Sequence, residues 1–321
     1  MILVPSRELI LPKKIRDFIA PRLEGWYKLE AFNPITRKTR MLADWFPNLI
    51  VNEGADFLGG FTPGGAAISG WMTFCLVGTG NTPPAGTDTA LQSFLASTQS
   101  TNFATASAAG SSPYYGARTT QYNFAAGTAT GNLSEVGVGV IGTNGELFSH
   151  SLILDSLGSP TTITVLSNEA LYVTYQLRQY VPLNDVTGSI SISGSPYTYT
   201  LRAANATSTT SWALGNGAFG TMSSGSFVTN GVLGTITSGP TGTAAAPTSI
   251  VTDPYSLGSS QRTATATWGL SDGNLAGGIT CFYMSFNGRG DYQMQFGAAI
   301  PKDASHVLTL SGGHSWVLNS P

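Results

Sequence analysis

Apolar and polar residues alternate in short runs along most of this chain. Thr120-Gln121-Tyr122-Asn123-Phe124 alternates, and so do residues 136–140, 147–154, 162–166 and 171–177. Successive side chains of a strand point to opposite faces, so each run predicts a strand with one face buried. The runs recur about every ten residues with turn formers such as Asn144-Gly145 between them, which predicts an antiparallel sandwich or barrel. Pro182 closes this block. A second follows: a hairpin of residues 188–193 and 197–202 across Gly194-Ser195-Pro196, alternation over 263–268, and strands over 279–286, 292–296, 307–310 and 316–318. Residues 215–250 are mostly Gly, Ser, Thr and Ala with Pro240 and Pro247, and predict loop or thin sheet.

The first third reads differently. Residues 52–59 suit a short helix with Asn52 as N-cap and Gly59-Gly60 as stop. A strand over 71–77 leads into a turn-rich loop at 78–84, and Thr87-Asp88 are placed to cap another short helix through 91–95. Before residue 45, Pro5, Pro12, Pro21 and Pro34 recur too often for a long helix. Residues 13–20 allow two helical turns with Ile15, Phe18 and Ile19 on one face, and residues 26–32 suit a strand ending at Asn33-Pro34.

Charge sharpens this division. Arg7, Lys13, Lys14, Arg16, Arg22, Lys28, Arg37, Lys38 and Arg40 crowd into the first 44 residues, whereas Arg118, Arg178, Arg202, Arg262, Arg289 and Lys302 are the remaining fixed cations. The contrast predicts a mainly β protein of two antiparallel β-sandwich or jelly-roll-like domains with an extended N-terminal arm. The arm spans 1–44, the first β domain with short helices 45–183, and a second, Gly/Ser/Thr-rich β domain 184–321. A basic arm bearing large apolar groups implies a docking element, with Ile15, Phe18, Trp26, Tyr27 and Phe32 as its anchors. Such an arm is expected to be dispensable for folding, so that deletion of residues 2–40 leaves a folded β protein. The blocks share a pattern, Arg118-Thr119 to Asn132-Leu133 beside Arg262-Thr263 to Asn274-Leu275; duplication and chance similarity both fit it.

Over the 321 residues, charged content is 10% and net charge −2, against about 25% charged residues in typical soluble domains. A surface hydrated by hydroxyls suits a protein buried among copies of itself and neighbours, with a trimer or higher ring as the default symmetric homo-oligomer. Glu8, Asp17, Glu24 and Glu30 interrupt the cationic stretch, which argues against a nucleic-acid arm. No run approaches the roughly 18 apolar residues of a membrane span. Met1-Ile2-Leu3-Val4 meets Pro5, Arg7 and Glu8 at once, so no signal peptide is expected and synthesis in the cytoplasm is. Cys75 and Cys281 each sit in an apolar run; two buried thiols or one disulfide joining the halves are both open.

The residues capable of chemistry are sparse. His150, His306 and His314 are the three histidines. His306 and His314 flank a predicted strand and are expected near each other across a turn, all three being exposed strand-end residues rather than zinc ligands. Glu135, Glu146, Asp155 and Asp272 lie in or beside turns, where acids are ordinarily solvated, and form no evident pair for glycoside hydrolysis. No Gly-x-Ser-x-Gly occurs in a strand–turn–helix setting. No catalytic residue, cofactor site or metal site is expected. Arg289-Gly290-Asp291 follows Asn287-Gly288 and reads as part of a hairpin turn rather than an integrin-recognition tripeptide. Tyr114, Tyr115 and Trp212 lie in Gly/Ser-rich loops and are the candidate glycan contacts, with loops 78–87, 110–117 and 205–225 as the surface.

Several stretches are similar to one family. Asn132-Leu133-Ser134-Glu135-Val136-Gly137-Val138-Gly139, Leu147-Phe148-Ser149, Pro160-Thr161-Thr162-Ile163-Thr164-Val165-Leu166 and Val173-Thr174-Tyr175-Gln176-Leu177-Arg178 resemble virion structural proteins of tailed bacteriophages, of the tail or tail-fibre kind. Val77-Gly78-Thr79-Gly80-Asn81-Thr82-Pro83-Pro84 with Asp88-Thr89-Ala90-Leu91, and Ile300-Pro301-Lys302-Asp303 with Leu308-Thr309-Leu310 and Ser315-Trp316, are similar to segments of the same proteins. The matches spread over residues 45–321, and their order carries the resemblance. It implies a non-enzymatic part of a virion tail (tip, baseplate or fibre attachment) with other virion tail proteins as partners. A receptor- or glycan-binding fibre module and a capsid decoration protein are the alternatives. The resemblance brings no catalytic residues.

Overall fold

A computed structural model describes residues 9–10, 20–61, 70–214 and 218–318. In chain order the first elements are β1 (Leu9–Ile10), β2 (Arg22–Asn33), β3 (Lys38–Pro47), β4 (Leu49–Ile50), α1 (Asn52–Leu58), β5 (Phe74–Gly78), β6 (Phe94–Thr98), β7 (Thr101–Ala108), β8 (Tyr115–Phe124), β9 (Gly131–Leu133), β10 (Glu135–Gly139), β11 (Leu147–Leu152), β12 (Ile163–Val165) and β13 (Ala170–Tyr180). Then come β14 (Val186–Ile192), β15 (Ser195–Ala204), α2 (Thr209–Trp212), β16 (Phe227–Thr229), β17 (Ala244–Ala245), β18 (Ser249–Thr252), β19 (Gln261–Trp268), β20 (Ile279–Ser285), β21 (Asp291–Ile300), β22 (Val307–Ser315) and β23 (Val317–Leu318).

The protein is mainly β, and its sheets pack in two sandwich-like bodies. In the first, a six-stranded sheet ordered β23-β2-β13-β8-β7, with β3 on β2, faces a five-stranded sheet ordered β4-β11-β10-β5-β6. The inward positions of β2 and β13 alternate with outward ones, and bring Leu23, Tyr27, Leu29, Leu171, Val173, Tyr175 and Leu177 into one buried core with Val136, Val138 and Phe148 of the facing sheet. Tyr27 lies 4.8 Å from Tyr175, ring to ring, and its hydroxyl meets Ser149 Oγ at 2.9 Å. In the second body, β14-β15-β21-β20-β16-β17 and β1-β22-β19-β18 enclose Trp212, Trp268, Phe282, Phe286, Met294 and Leu310.

The bodies interlock. Val317 and Leu318 run parallel to Arg22 and Leu23 in the first sheet, and Leu214, Phe219 and Trp316 belong to the first core. A Cβ on Gly116 would stand 1.8 Å from the Trp212 carbonyl oxygen, so only glycine admits α2 against β8.

The structure corrects the extended arm from residue 22 onward. β2 pairs with β13 from Arg22 to Phe32 and, on its other side, with β3 from Trp26 to Asn33, and Tyr27 is fully buried. The cations of this stretch alternate with apolar residues and take the outer face, so a high basic count coexists with an ordinary sheet strand. Deleting residues 2–40 therefore removes a paired core strand, and the expectation that the remainder folds is withdrawn. Ile15 and Phe18 lie outside the described residues.

Smaller corrections have local causes. Asn52 is the first residue of α1 rather than its cap, which is Val51. Thr87-Asp88 open no helix: residues 94–98 form a strand, and the preceding amides of Gln92 and Ser93 go to Glu135. The 188–202 hairpin turns at Ser193-Gly194, whose φ angles are +48° and +80°. Cys75 and Cys281 are both free and buried.

Candidate functional site

The six-stranded sheet has two unlike faces. The inner one is core. The outer one carries Arg22, Glu24, Trp26, Lys28, Glu30 and Phe32 from β2; Tyr172, Thr174, Gln176, Arg178 and Tyr180 from β13; and Tyr115, Thr119, Gln121 and Asn123 from β8. The register sets them in rows: Arg22 beside Tyr180 and Tyr115, Glu24 beside Arg178, Trp26 beside Gln176 and Thr119, Lys28 beside Thr174 and Gln121, Glu30 beside Tyr172 and Asn123.

These side chains hold one another in place. The Arg178 guanidinium lies 5.1 Å from the Trp26 ring centre and 5.2 Å from that of Tyr115, and Arg22 lies 4.3 Å over Tyr180. Arg178 Nε donates to Gln176 Oε1 at 2.6 Å, and Gln176 Nε2 to Thr119 Oγ1 at 2.8 Å. Asn123 Nδ2 donates to Asn102, Asn102 Nδ2 to Gln121, and Gln121 Nε2 to Thr174. Lys28 pairs with Glu30 at 3.1 Å, Arg22 pairs with Glu24, and Phe32 stacks on Tyr172 at 5.4 Å. Burial raises the Tyr180 phenol above its ordinary value.

The predicted anchors divide between the faces. Trp26 and Phe32 point outward and are half-buried, while Tyr27 points into the core. The glycan trio does not form a site. Trp212 is fully buried, donates Nε1–H to the Ala204 carbonyl at 2.8 Å, and meets Tyr292 edge-on; Tyr114 packs on the second core. Tyr115 alone reaches the outer face. The Gly/Ser-rich surroundings of the three rings are the misleading signal: α2 presses 205–214 against the first body.

The second constellation is buried. His150 on β11 offers Nδ1 to Asp88 Oδ2 at 2.8 Å and Nε2 to Glu135 Oε2 at 3.2 Å. Glu135 is fully buried, which corrects its reading as a solvated turn acid, and it accepts the backbone N–H groups of Gly80, Gln92 and Ser93 at 2.9, 2.9 and 2.7 Å. Burial alone raises the Glu135 carboxyl; the His150 ring and these amides outweigh it and hold the group below its ordinary value. Burial pulls His150 down, but Glu135 and Asp88 carry it above its ordinary value. Both ring nitrogens face carboxylates, and the neighbouring Ser149 and Ser151 hydroxyls bond Tyr27 and backbone carbonyls. The arrangement fastens loop 79–93 to the sheet and presents no activated nucleophile.

Elsewhere, His306 just before β22 and His314 near its far end are separated by the continuous strand rather than joined across a turn; His306 is half-buried beside Asp303 at 2.7 Å and His314 is fully buried. Arg289 and Asp291 are each 3% exposed. They follow the left-handed pair Asn287 (φ +53°) and Gly288 (φ +81°), as the hairpin-turn reading requires. Near β4 a groove of about 510 Å³ is lined by Pro47, Leu49, Pro83, Pro84, Leu154 and Leu318, and no titratable side chain lines it. Among the described residues no helix is long and apolar enough to cross a membrane. No family model, curated protein or solved structure matches the chain.

Proposed function

We propose that this chain is a non-enzymatic structural component of a bacteriophage tail, acting in the virion by geometry as a part that docks onto its neighbours. One observation carries the reading: a sheet face, three strands wide, on which Trp, Tyr, Phe and Arg side chains are held by stacking and hydrogen bonds. Aromatic residues and Arg are the residues enriched in protein–protein interfaces and their hot spots. Holding them in place beforehand lowers the entropy lost on docking. The face also gathers Arg22, Glu24, Lys28, Glu30 and Arg178 from a chain that is 10% charged. Docking is assigned to this sheet face, with Trp26 and Phe32 as anchors, in place of a free arm. Assignment to a tail is supported by the ordered motif resemblance over residues 45–321. The receptor- or glycan-binding alternative is not carried forward, because Trp212, the largest of its three rings, is core.

Antibody labelling of purified particles under the electron microscope tests the assignment. Label on tails is expected. Label on heads would replace it with the capsid decoration reading, and particles free of the protein would overturn it.

A further inference from the structure

We propose that the outer face of the six-stranded sheet pairs with the same face of a second copy, about a two-fold axis that crosses the strands at Trp26. This rests on the reading of that face as a protein interface and names its partner.

The order of charge on β2 points to a second copy as that partner. Its outward positions run Arg22, Glu24, Trp26, Lys28, Glu30, that is plus, minus, ring, plus, minus. Reversing the strand about Trp26 inverts every sign. A two-fold axis lying between two facing sheets, perpendicular to the strands, sets β2 antiparallel on its copy. Arg22 then meets the second Glu30 and Glu24 the second Lys28, twice each, with Trp26 on Trp26 at the axis. Other registers repel or pair fewer charges. Centred on Glu24 or on Lys28, the axis stacks like on like at its own centre. Centred one residue to either side of Trp26, it sets Arg22 on Lys28 or Glu24 on Glu30. Parallel and in register, every charge meets itself. An axis at Leu29 sets only Lys28 on Glu30, and one at Leu23 only Arg22 on Glu24; like charges face to face are strongly disfavoured, so the axis at Trp26 is the register that gives all four charges an opposite partner.

The other strands agree. The same axis keeps β13 over β13 and β8 over β8. Gln176 meets Gln176, an amide pair that both donates and accepts; Thr119 meets Thr119; Tyr180 meets Tyr172; Arg178 meets the uncharged Thr174. No like charges are brought opposite one another on these strands. In the single chain the charges fold onto their own neighbours, Lys28 on Glu30 and Arg22 on Glu24, with the side chains of Glu24 and Glu30 14% and 19% exposed. Pairing exchanges these contacts for contacts of the same kind between copies. The three strands alone give roughly 480 Å² per copy at about 4.8 Å spacing and ten residues of about 3.3 Å rise; with β3 and β7 at their flanks the face reaches roughly 800 Å², the usual size for a specific interface.

Two single charge reversals on the full chain test this. Glu24→Lys sets the introduced ammonium against Lys28 of the other copy, and Lys28→Glu sets the introduced carboxylate against Glu24 of the other copy, two repulsive contacts per pair in each case. Sedimentation should show wild-type dimers, and each variant alone should associate roughly a hundredfold more weakly. An equal mixture of the two variants restores every opposite pair and should regain wild-type affinity as a mixed dimer. The double variant E24K/K28E should pair with itself, which keeps the test decisive where one single variant folds poorly. A monomeric wild type, single variants that dimerise normally, or a mixture no tighter than its components would overturn the proposal. A monomeric wild type together with labelled tails would sink the pairing and leave the proposed function standing; dimers absent from particles would do the reverse.

Discussion

His150 and His314 are both buried strand residues, and their surroundings are opposites. His150 is held between two carboxylates, and its partner Glu135 saturates itself with three backbone amides. His314 lies among rings, 4.9 Å from Phe286 and 5.3 Å from Phe219, and neither of its nitrogens has a hydrogen-bond partner among the described residues. Burial, with the Arg289 charge adding to it, pushes His314 down to about 3. The seam around it is equally under-paired. Burial takes Arg289 down to about 10, and Arg289 Nε, the Tyr292 hydroxyl and Gln179 Oε1 likewise lack partners among the described residues. One side chain type thus serves as a clamp between carboxylates in the first body and as an aromatic disc where the bodies meet. What decides is whether carboxylates reach it.

The comparison breaks first at Glu135. Replacing Glu135 by Ala strands three buried N–H donors and leaves His150 with Asp88 alone. Loss of a partner from a buried, hydrogen-bonded charge pair costs about 3–5 kcal/mol. Urea unfolding should show that loss, and hydrogen exchange should show amides 79–93 opening. A loss below about 0.5 kcal/mol, within the range of an ordinary surface change, would mean the loop is held by something else.

The contrast also shows what the sequence reveals. Period-two alternation announces β13, β8 and β19 because each buries one face. It is equally present in β2, where Leu23, Tyr27 and Leu29 alternate with Arg22, Glu24 and Lys28, but there a count of cations suggests an arm. β7, Thr-Asn-Phe-Ala-Thr-Ala-Ser-Ala, is an exposed edge strand whose small alternating alanines bury no face. The clamp is harder still. Asp88, Glu135 and His150 are brought together only by the β10–β11 pairing, in which Gly137 stands opposite His150, and by a loop folded over them. A signal does exist: an acid opening the otherwise apolar run Val136-Gly137-Val138 has to be satisfied once that strand is buried on both faces. The outer face needs the register of three strands before its rows, and hence its charge order, can be seen.

The next effect is smaller and reads on pH. His314 is lowered in the folded chain, so as pH falls below the ordinary histidine value of about 6.5 the unfolded chain takes a proton the folded one refuses. Stability drops until the folded value of about 3 is reached. At about pH 5 this amounts to roughly 2 kcal/mol. His314→Phe keeps the ring and removes the proton, so any packing cost is the same at every pH and the acid slope alone should flatten by that amount. An unchanged slope in denaturation midpoints would show that His314 is charged in the fold.

His150 should do the reverse, by about 1 kcal/mol for its partly offset hydrogen-bonded pair. Its folded value is raised, so its contribution is complete below about pH 6.5 and is lost as pH rises through the raised value. Glu135, held low, contributes above the ordinary carboxylate value of about 4.3 and loses it as pH falls through its own lowered value. His150→Gln keeps one donor and one acceptor but cannot titrate, so the variant should lose stability at mildly acidic pH and converge on the wild type in alkali. With His314 eroding stability below the histidine range and His150 above it, the wild-type optimum should lie near the ordinary histidine pKa. Each single variant should move it, towards alkali for His150→Gln and towards acid for His314→Phe. Optima that shift in the same direction for both would show that the two histidines share one electrostatic role, and the distinction between clamp and disc would collapse.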